Sequence, residues 1–159
     1  MQDNFLSKTK FKEIKSFMLE SMNFPWYYNN SILYDTPGDF QFIHNFFRDG
    51  EVSNFFSILD PLLEAIKPSA LYRVKANLGT RSIESKEQGY HTDFDPDYLI
   101  CKTAVLYLNT NNGYTIFESG ERVESIENRL LIFDSPMKHS GASQTDTNIR
   151  SLINLNFDL

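Results

Sequence analysis

Cysteine is almost absent from this chain. The single residue, Cys101, excludes an internal disulfide and fits a reducing compartment. Long apolar runs are missing too: no window approaches the ~20 residues of a membrane-spanning helix. Met1-Gln2-Asp3-Asn4 offers neither a basic n-region nor an apolar stretch, so no signal peptide is expected and the expected location is the cytoplasm. There is no clustered basic run. Lys and Arg number 15 against 21 Asp and Glu, a formal net charge of −6. That balance argues against a nucleic-acid surface, which is usually basic, and no appreciable affinity for DNA or RNA is expected at physiological salt. Repeats and low-complexity tracts are also absent. Histidine is scarce, with three residues, so each can be weighed individually.

What is present is a globular composition rich in Phe and Tyr. A length of 159 residues predicts one domain, 1–159, with a substantial core. The first part, 1–68, reads as a helical support region. Phe11, Ile14, Phe17, Met18 and Met22 fall on one stripe of a helix over 9–22, with Ser7 or Thr9 as its cap. Phe24-Pro25-Trp26-Tyr27-Tyr28 then breaks that helix and enters a strand, and Asn29 to Gly38 is loop-like at both ends. Residues 40–46 read as a strand containing His44, which has no acidic neighbour at useful spacing and is taken as structural. A second helix over 53–66 carries Pro61, expected to kink or split it.

From Leu71 the pattern changes to β. Strands are predicted at 71–78, 89–93, 101–108, 114–118, 121–126, 129–133, 137–142 and 149–157. Turns fall at Asn111-Asn112-Gly113 and Ser119-Gly120. The fold expected is mostly β with N-terminal helices. Residues 69–159 would form a double-stranded β-helix (a jelly roll, cupin-like) of about eight strands, supported by two helices.

Gly89-Tyr90-His91-Thr92-Asp93 carries the most distinctive chemistry. On a strand, His91 and Asp93 point to the same face. An imidazole and a carboxylate there are two of the three ligands of a 2-His-1-carboxylate triad, which leaves open positions on ferrous iron. A second imidazole, His139, lies in Ser135-Pro136-Met137-Lys138-His139-Ser140-Gly141. Arg150 then opens the final alternating run, in which Arg150, Leu152, Asn154 and Asn156 share one face.

This order of His-x-Asp, a later His and an Arg opening a strand resembles the Fe(II)/2-oxoglutarate-dependent dioxygenase superfamily. The prolyl-4-hydroxylase-like branch is the most similar, including small members common in phage and marine microbial sequences. The resemblance covers about residues 70–157. It implies His91, Asp93 and His139 as ligands of Fe(II), and 2-oxoglutarate as cosubstrate chelating the metal. It also implies Arg150 as the fork for the far carboxylate, which a guanidinium grips through two parallel donors. Residue 152 is Leu, so the Arg-x-Ser variant of some branches is absent and a second donor is needed. Tyr107, in Tyr107-Leu108-Asn109, resembles the Tyr-Leu-Asn strand whose Tyr hydroxyl binds the cosubstrate. Arg73, Lys75 and Asn77 share one face of the first β-strand, and Asn77 and Arg73 are weaker site candidates.

The activity implied is a 2-oxoglutarate-dependent non-haem iron dioxygenase. It would hydroxylate a peptidyl or small-molecule substrate with dioxygen, releasing succinate and CO2. The alternative is a cupin-like metal protein, an isomerase or non-catalytic binding module, with no 2-oxoglutarate chemistry. Arg150 separates the two, because a cupin has no need of a buried guanidinium there. A β-sandwich with accidental His and Asp leaves the ordered series of four residues unexplained.

Overall fold

A computed structural model describes residues 1–33 and 39–159 of the chain. The part of the predicted Asn29–Gly38 loop at 34–38 therefore lies outside the described residues. Helix α1 spans Lys8–Leu19, with the Ser7 hydroxyl accepting a hydrogen bond from the Lys10 amide. It stops short of the expected residue 22, and Met22 is fully exposed rather than part of the apolar stripe. The second helical segment is split as Pro61 requires. A 3-10 turn, Phe56–Leu59, precedes helix α2 at Asp60–Ile66, and Pro61 sits in the first turn of α2, where its missing N–H costs nothing.

The strands are β1 (Tyr27–Asn29), β2 (Gln41–Arg48), β3 (Glu51–Val52), β4 (Ala70–Thr80), β5 (Lys102–Tyr107), β6 (Tyr114–Phe117), β7 (Arg122–Glu124), β8 (Leu130–Asp134), β9 (His139–Ala142) and β10 (Ile149–Asp158). They form two sheets. The larger runs β1-β2-β4-β10-β5-β8, with β3 on β2; the smaller runs β7-β6-β9. The expected strand at 89–93 is not continuous. His91 instead pairs with His139 alone, each backbone N–H bonding the other's carbonyl at 3.0 Å. With that bridge the smaller sheet gains its fourth member. The two sheets then interleave as a double-stranded β-helix, and all pairings are antiparallel.

Strand β10 shows why the chain folds this way. Ile153, Leu155 and Phe157 point outward into the main hydrophobic cluster, meeting Ile14 and Met18 of α1 and Leu62 of α2. Leu152 faces inward, beside Val105, Tyr107 and Phe133. The polar members of the inward face, Arg150, Asn154 and Asn156, are left to line the barrel. The carboxamide of Asn109, just past β5, donates to the Ile149 carbonyl at 2.8 Å and accepts from the Ser151 amide at 2.9 Å. These two bonds fix the start of β10 and therefore the base of the Arg150 side chain.

His44 sits on the opposite face of β2, stacked among Phe24, Phe46 and Phe55. Its Nδ1 lies 2.9 Å from the Pro25 carbonyl and its Nε2 2.8 Å from the Ser53 hydroxyl. The neutral ring satisfies both, donating to the carbonyl and accepting from the hydroxyl. Burial pulls its pKa below the ordinary imidazole value. The neutral form is therefore favoured in the folded state. The stability it contributes is complete above the unfolded value of about 6.5 and is lost as pH falls through the lowered folded value. His44→Ala should cost about 2–4 kcal/mol in urea unfolding at pH 7.5, from the void and the two lost bonds. The gap between wild type and variant should narrow on acidification to pH 5, and metal affinity should be unchanged.

Candidate metal centre and anion pocket

His91, Asp93 and His139 converge at the mouth of the barrel. One ligand atom from each lies within 4.8 Å of the others. The reciprocal backbone bridge brings the two imidazoles to a centroid separation of 4.6 Å. Nδ1 of His139 lies 3.0 Å from the Met137 carbonyl, and Nδ1 of His91 lies 3.3 Å from the Gly89 carbonyl. Both rings thus spend Nδ1–H on backbone oxygens, which leaves Nε2 as the lone-pair nitrogen. Burial and the neighbouring His139 lower the His91 pKa and favour the neutral ring that a metal needs.

Asp93 is held by four donors. Oδ1 accepts from Arg73 Nη2 at 2.6 Å. Oδ2 accepts from Thr103 Oγ1 at 3.2 Å, Asn154 Nδ2 at 3.2 Å and Asn156 Nδ2 at 3.0 Å. Burial alone would raise this carboxyl. The Arg73 charge, the Asn156 and Asn154 amides and the charge of His139 outweigh it, and the group is held well below the usual carboxylate range. The carboxylate is therefore ionised and oriented whether or not a cation is near. Arg73, a weaker candidate from the sequence, is this partner. Its Nε also donates to Asn156 Oδ1 at 3.0 Å. The roles of Thr103, Asn154 and Asn156 were not read from the sequence, although the alternation of β10 had placed both Asn on the inward face.

Behind this cluster lies a cavity of about 300 Å³, whose walls include His91, His139, Lys75, Asn77, Thr115 and Arg150. Arg150 enters from the far end. Its Nε donates to Ser125 Oγ at 2.9 Å and its Nη2 to the Tyr114 carbonyl at 3.1 Å. No carboxylate among the described residues pairs with it. Burial lowers its pKa, but a guanidinium remains protonated at any physiological pH. A half-buried, permanently charged group with no counter-charge beside it is costly unless an anion meets it. The side chain passes over Gly113, where an added Cβ would lie 2.7 Å from Arg150 Cδ and 2.8 Å from the Ala142 carbonyl.

Tyr107 is placed differently from the expectation. It is fully buried and lies outside the cavity lining, with its hydroxyl donating to Thr115 Oγ1 at 2.7 Å. Thr115 is on the wall, and with its oxygen occupied by Tyr107 its own proton is free to turn toward the cavity. Tyr107 also flanks Arg150, whose Cζ is 5.8 Å from the ring centroid. Thr115 is thus the surface hydroxyl nearest in role to the expected second donor. Asn77, the other weaker candidate from the sequence, lines the cavity.

The fold is shared with known proteins. A prolyl hydroxylase from Trichoplax adhaerens, solved with a peptide fragment of a hypoxia-inducible factor, superposes with a TM-score of 0.65 at 15% identity, covering 99% of this chain and 82% of that one. A 2OG-Fe(II) oxygenase family oxidoreductase from Burkholderia pseudomallei gives 0.66 at 10% identity, covering 94% and 78%. A prolyl-4-hydroxylase from Pseudomonas putida gives 0.59 at 14% identity, covering 99% and 91%. No protein-family model and no curated protein matches the sequence. The class defined by fold is the double-stranded β-helix as built in prolyl hydroxylases and 2OG-Fe(II) oxygenases. Among the described residues no helix is long and apolar enough to cross a membrane.

Proposed function

We propose that the chain is an Fe(II)- and 2-oxoglutarate-dependent dioxygenase of the prolyl-4-hydroxylase-like branch, acting on a peptidyl or small-molecule substrate. One observation carries the reading: a His-Asp-His cluster at the barrel mouth faces a cavity that ends on a guanidinium with no carboxylate partner among the described residues. His91, Asp93 and His139 fit a ferrous ion by donor type, with neutral nitrogens and one ionised oxygen. Arg150 fits the far carboxylate of 2-oxoglutarate, with Thr115 beside it. The cupin-like alternative leaves Arg150 without a counter-charge among the described residues.

Bound Fe(II) and 2-oxoglutarate would supply oxidative decarboxylation with dioxygen. That chemistry would place one oxygen atom in succinate and the other in a C–H bond of the substrate, with release of CO2. The protein's own groups have three tasks. Arg73, Thr103, Asn154 and Asn156 hold Asp93 ionised and aimed. The backbone acceptors at Gly89 and Met137 fix both imidazole tautomers. Arg150 and Thr115 would hold the far carboxylate of the cosubstrate at the end of the cavity away from the His-Asp-His cluster.

The test is anaerobic titration of 2-oxoglutarate into the iron-loaded protein, following the charge-transfer absorbance of the chelate. A saturable band is expected at one equivalent, followed by succinate release on exposure to air with substrate. A metal-loaded protein with no band would return the cupin-like reading.

A further inference from the structure

The barrel wall carries a second cluster of groups that neither the metal nor the far carboxylate uses. Lys75 on β4 stands directly opposite Asn154 on β10 and Asn45 on β2, so the three side chains form one row across three strands. Asn77 follows one step along the same face of β4. Lys75, Asn77 and Asn154 all line the cavity. Among the described residues the Lys75 ammonium has no ion-pair or hydrogen-bond partner, and the carboxamide oxygens of Asn45, Asn77 and Asn154 are buried without one. Asn154 is 7% exposed, and its orientation is fixed. Its Nδ2 donates to the Asp93 carboxylate, an acceptor only, so Oδ1 points the other way.

Charge counting sharpens the point. The inner site holds three cations, Arg73, Lys75 and Arg150, against the single carboxylate of Asp93. A divalent metal and dianionic 2-oxoglutarate cancel one another formally. The loaded site therefore keeps an excess of positive charge near Lys75. Burial, then the Arg73 charge, pushes the Lys75 ammonium down to about 8, so it is still largely protonated at pH 7. A half-buried ammonium without a partner among the described residues is costly and so, to a smaller degree, are orphaned carboxamide oxygens. One ligand that offers an anion and a donor side by side satisfies both. The cavity, about 300 Å³ in total, is at the small end of ligand sites and must also hold the cosubstrate.

We propose that Lys75, Asn77 and Asn154 form the substrate-recognition subsite, and that the substrate is a small molecule with a carboxylate beside an N–H group, the chemistry of a free amino acid. Lys75 takes the carboxylate, and the oxygens of Asn77 and Asn154 accept from the protonated nitrogen, so the zwitterion answers the local charge of Lys75 without changing the net charge of the site. This deepens the dioxygenase reading and rests on it.

The test uses full-length protein loaded with Ni(II), which binds without turnover, and 2-oxoglutarate. Isothermal titration with each of the twenty standard L-amino acids, then with the C-terminal amide of any that binds, reads the subsite directly. At least one acid is expected to bind, and its amide to bind roughly ten- to hundred-fold more weakly. Lys75→Met, close in length, should weaken the acid by a similar factor and leave 2-oxoglutarate affinity within about twofold. Lys75→Gln provides a second variant that keeps a polar tip. The proposal is overturned if no amino acid binds, if acid and amide bind alike, or if Lys75→Met weakens 2-oxoglutarate instead, which would assign Lys75 to the cosubstrate. Failure of the dioxygenase reading is seen earlier, as nickel-loaded protein that takes up no 2-oxoglutarate. The amino-acid titrations on the nickel form then still decide the subsite.

Discussion

Asp93→Asn should reduce Fe(II) affinity on the order of 100-fold or more. Substitution of outer groups that merely orient metal ligands costs 10–100-fold, and this change removes the only anionic ligand of the cluster. Asparagine preserves volume, so the expected loss is one of charge rather than of fold. Alanine is the less informative choice. It would leave Arg73 buried without its partner and strip acceptors from Asn154 and Asn156, and breaking a buried pair in this way costs about 3–5 kcal/mol. His139→Ala should match the Asn variant in metal affinity, because the reciprocal backbone bonds with His91 do not depend on the ring. Calorimetric titration of apo-protein with Mn(II) or Fe(II) under argon decides the matter, with His44→Ala as the control. Unchanged affinity in Asp93→Asn would remove the carboxylate from the ligand set and the triad with it.

Arg150→Ala should weaken 2-oxoglutarate binding roughly ten- to hundred-fold, the equivalent of one charge-assisted pair at about 1.5–3 kcal/mol. Metal affinity should stay nearly intact, since Arg150 touches none of the three ligands; its contacts are Ser125, the Tyr114 carbonyl and the Tyr107 ring. Arg150→Lys keeps the charge and loses the fork, so its effect should fall between wild type and alanine. Thr115→Val and Tyr107→Phe should act in the same direction and more weakly, the second through the first, because the Tyr107 hydroxyl reaches only Thr115. The anaerobic charge-transfer titration reads all four. If Arg150→Ala binds 2-oxoglutarate as wild type does, the anion clamp lies elsewhere and the dioxygenase reading loses its support.

Much of this architecture was legible from alternation. The strand limits predicted for β4, β5 and β10 fall close to those observed, because each has one apolar face and one distinct face. The segment around His91 was not legible as drawn. It meets β9 only through isolated bridges, Glu87 to Ala142 and His91 to His139, and such bridges leave no period in the sequence. Helix α1 was extended too far because Met22 fits a 3.6-residue stripe, yet the Ser16 carbonyl is already taken by the amides of Glu20 and Ser21 and the chain turns away toward Pro25. At the site, residue types on one face could be listed but not paired. Arg73, Lys75 and Asn77 looked equivalent on β4. The tertiary fold gives Arg73 a carboxylate and, among the described residues, leaves Lys75 without one. The Tyr107 hydroxyl was legible as a polar group on an inward face, but its distance from the cavity depends on Thr115, which sits on the other sheet.

Gly113 reads in the sequence as a turn glycine, chosen for backbone freedom. Its φ is not in the left-handed region, so the backbone makes no such demand. What the position cannot hold is bulk, because Cδ of Arg150, the Ala142 carbonyl and Oδ1 of Asn111 all crowd the place where a methyl group would go. The rule that keeps residue 113 bare is therefore written by the ligand-binding end of the barrel. Among chains built on this plan, a bare residue should persist at this turn even where the long cation at 150 is replaced by a short one, because the Ala142 carbonyl still closes the space.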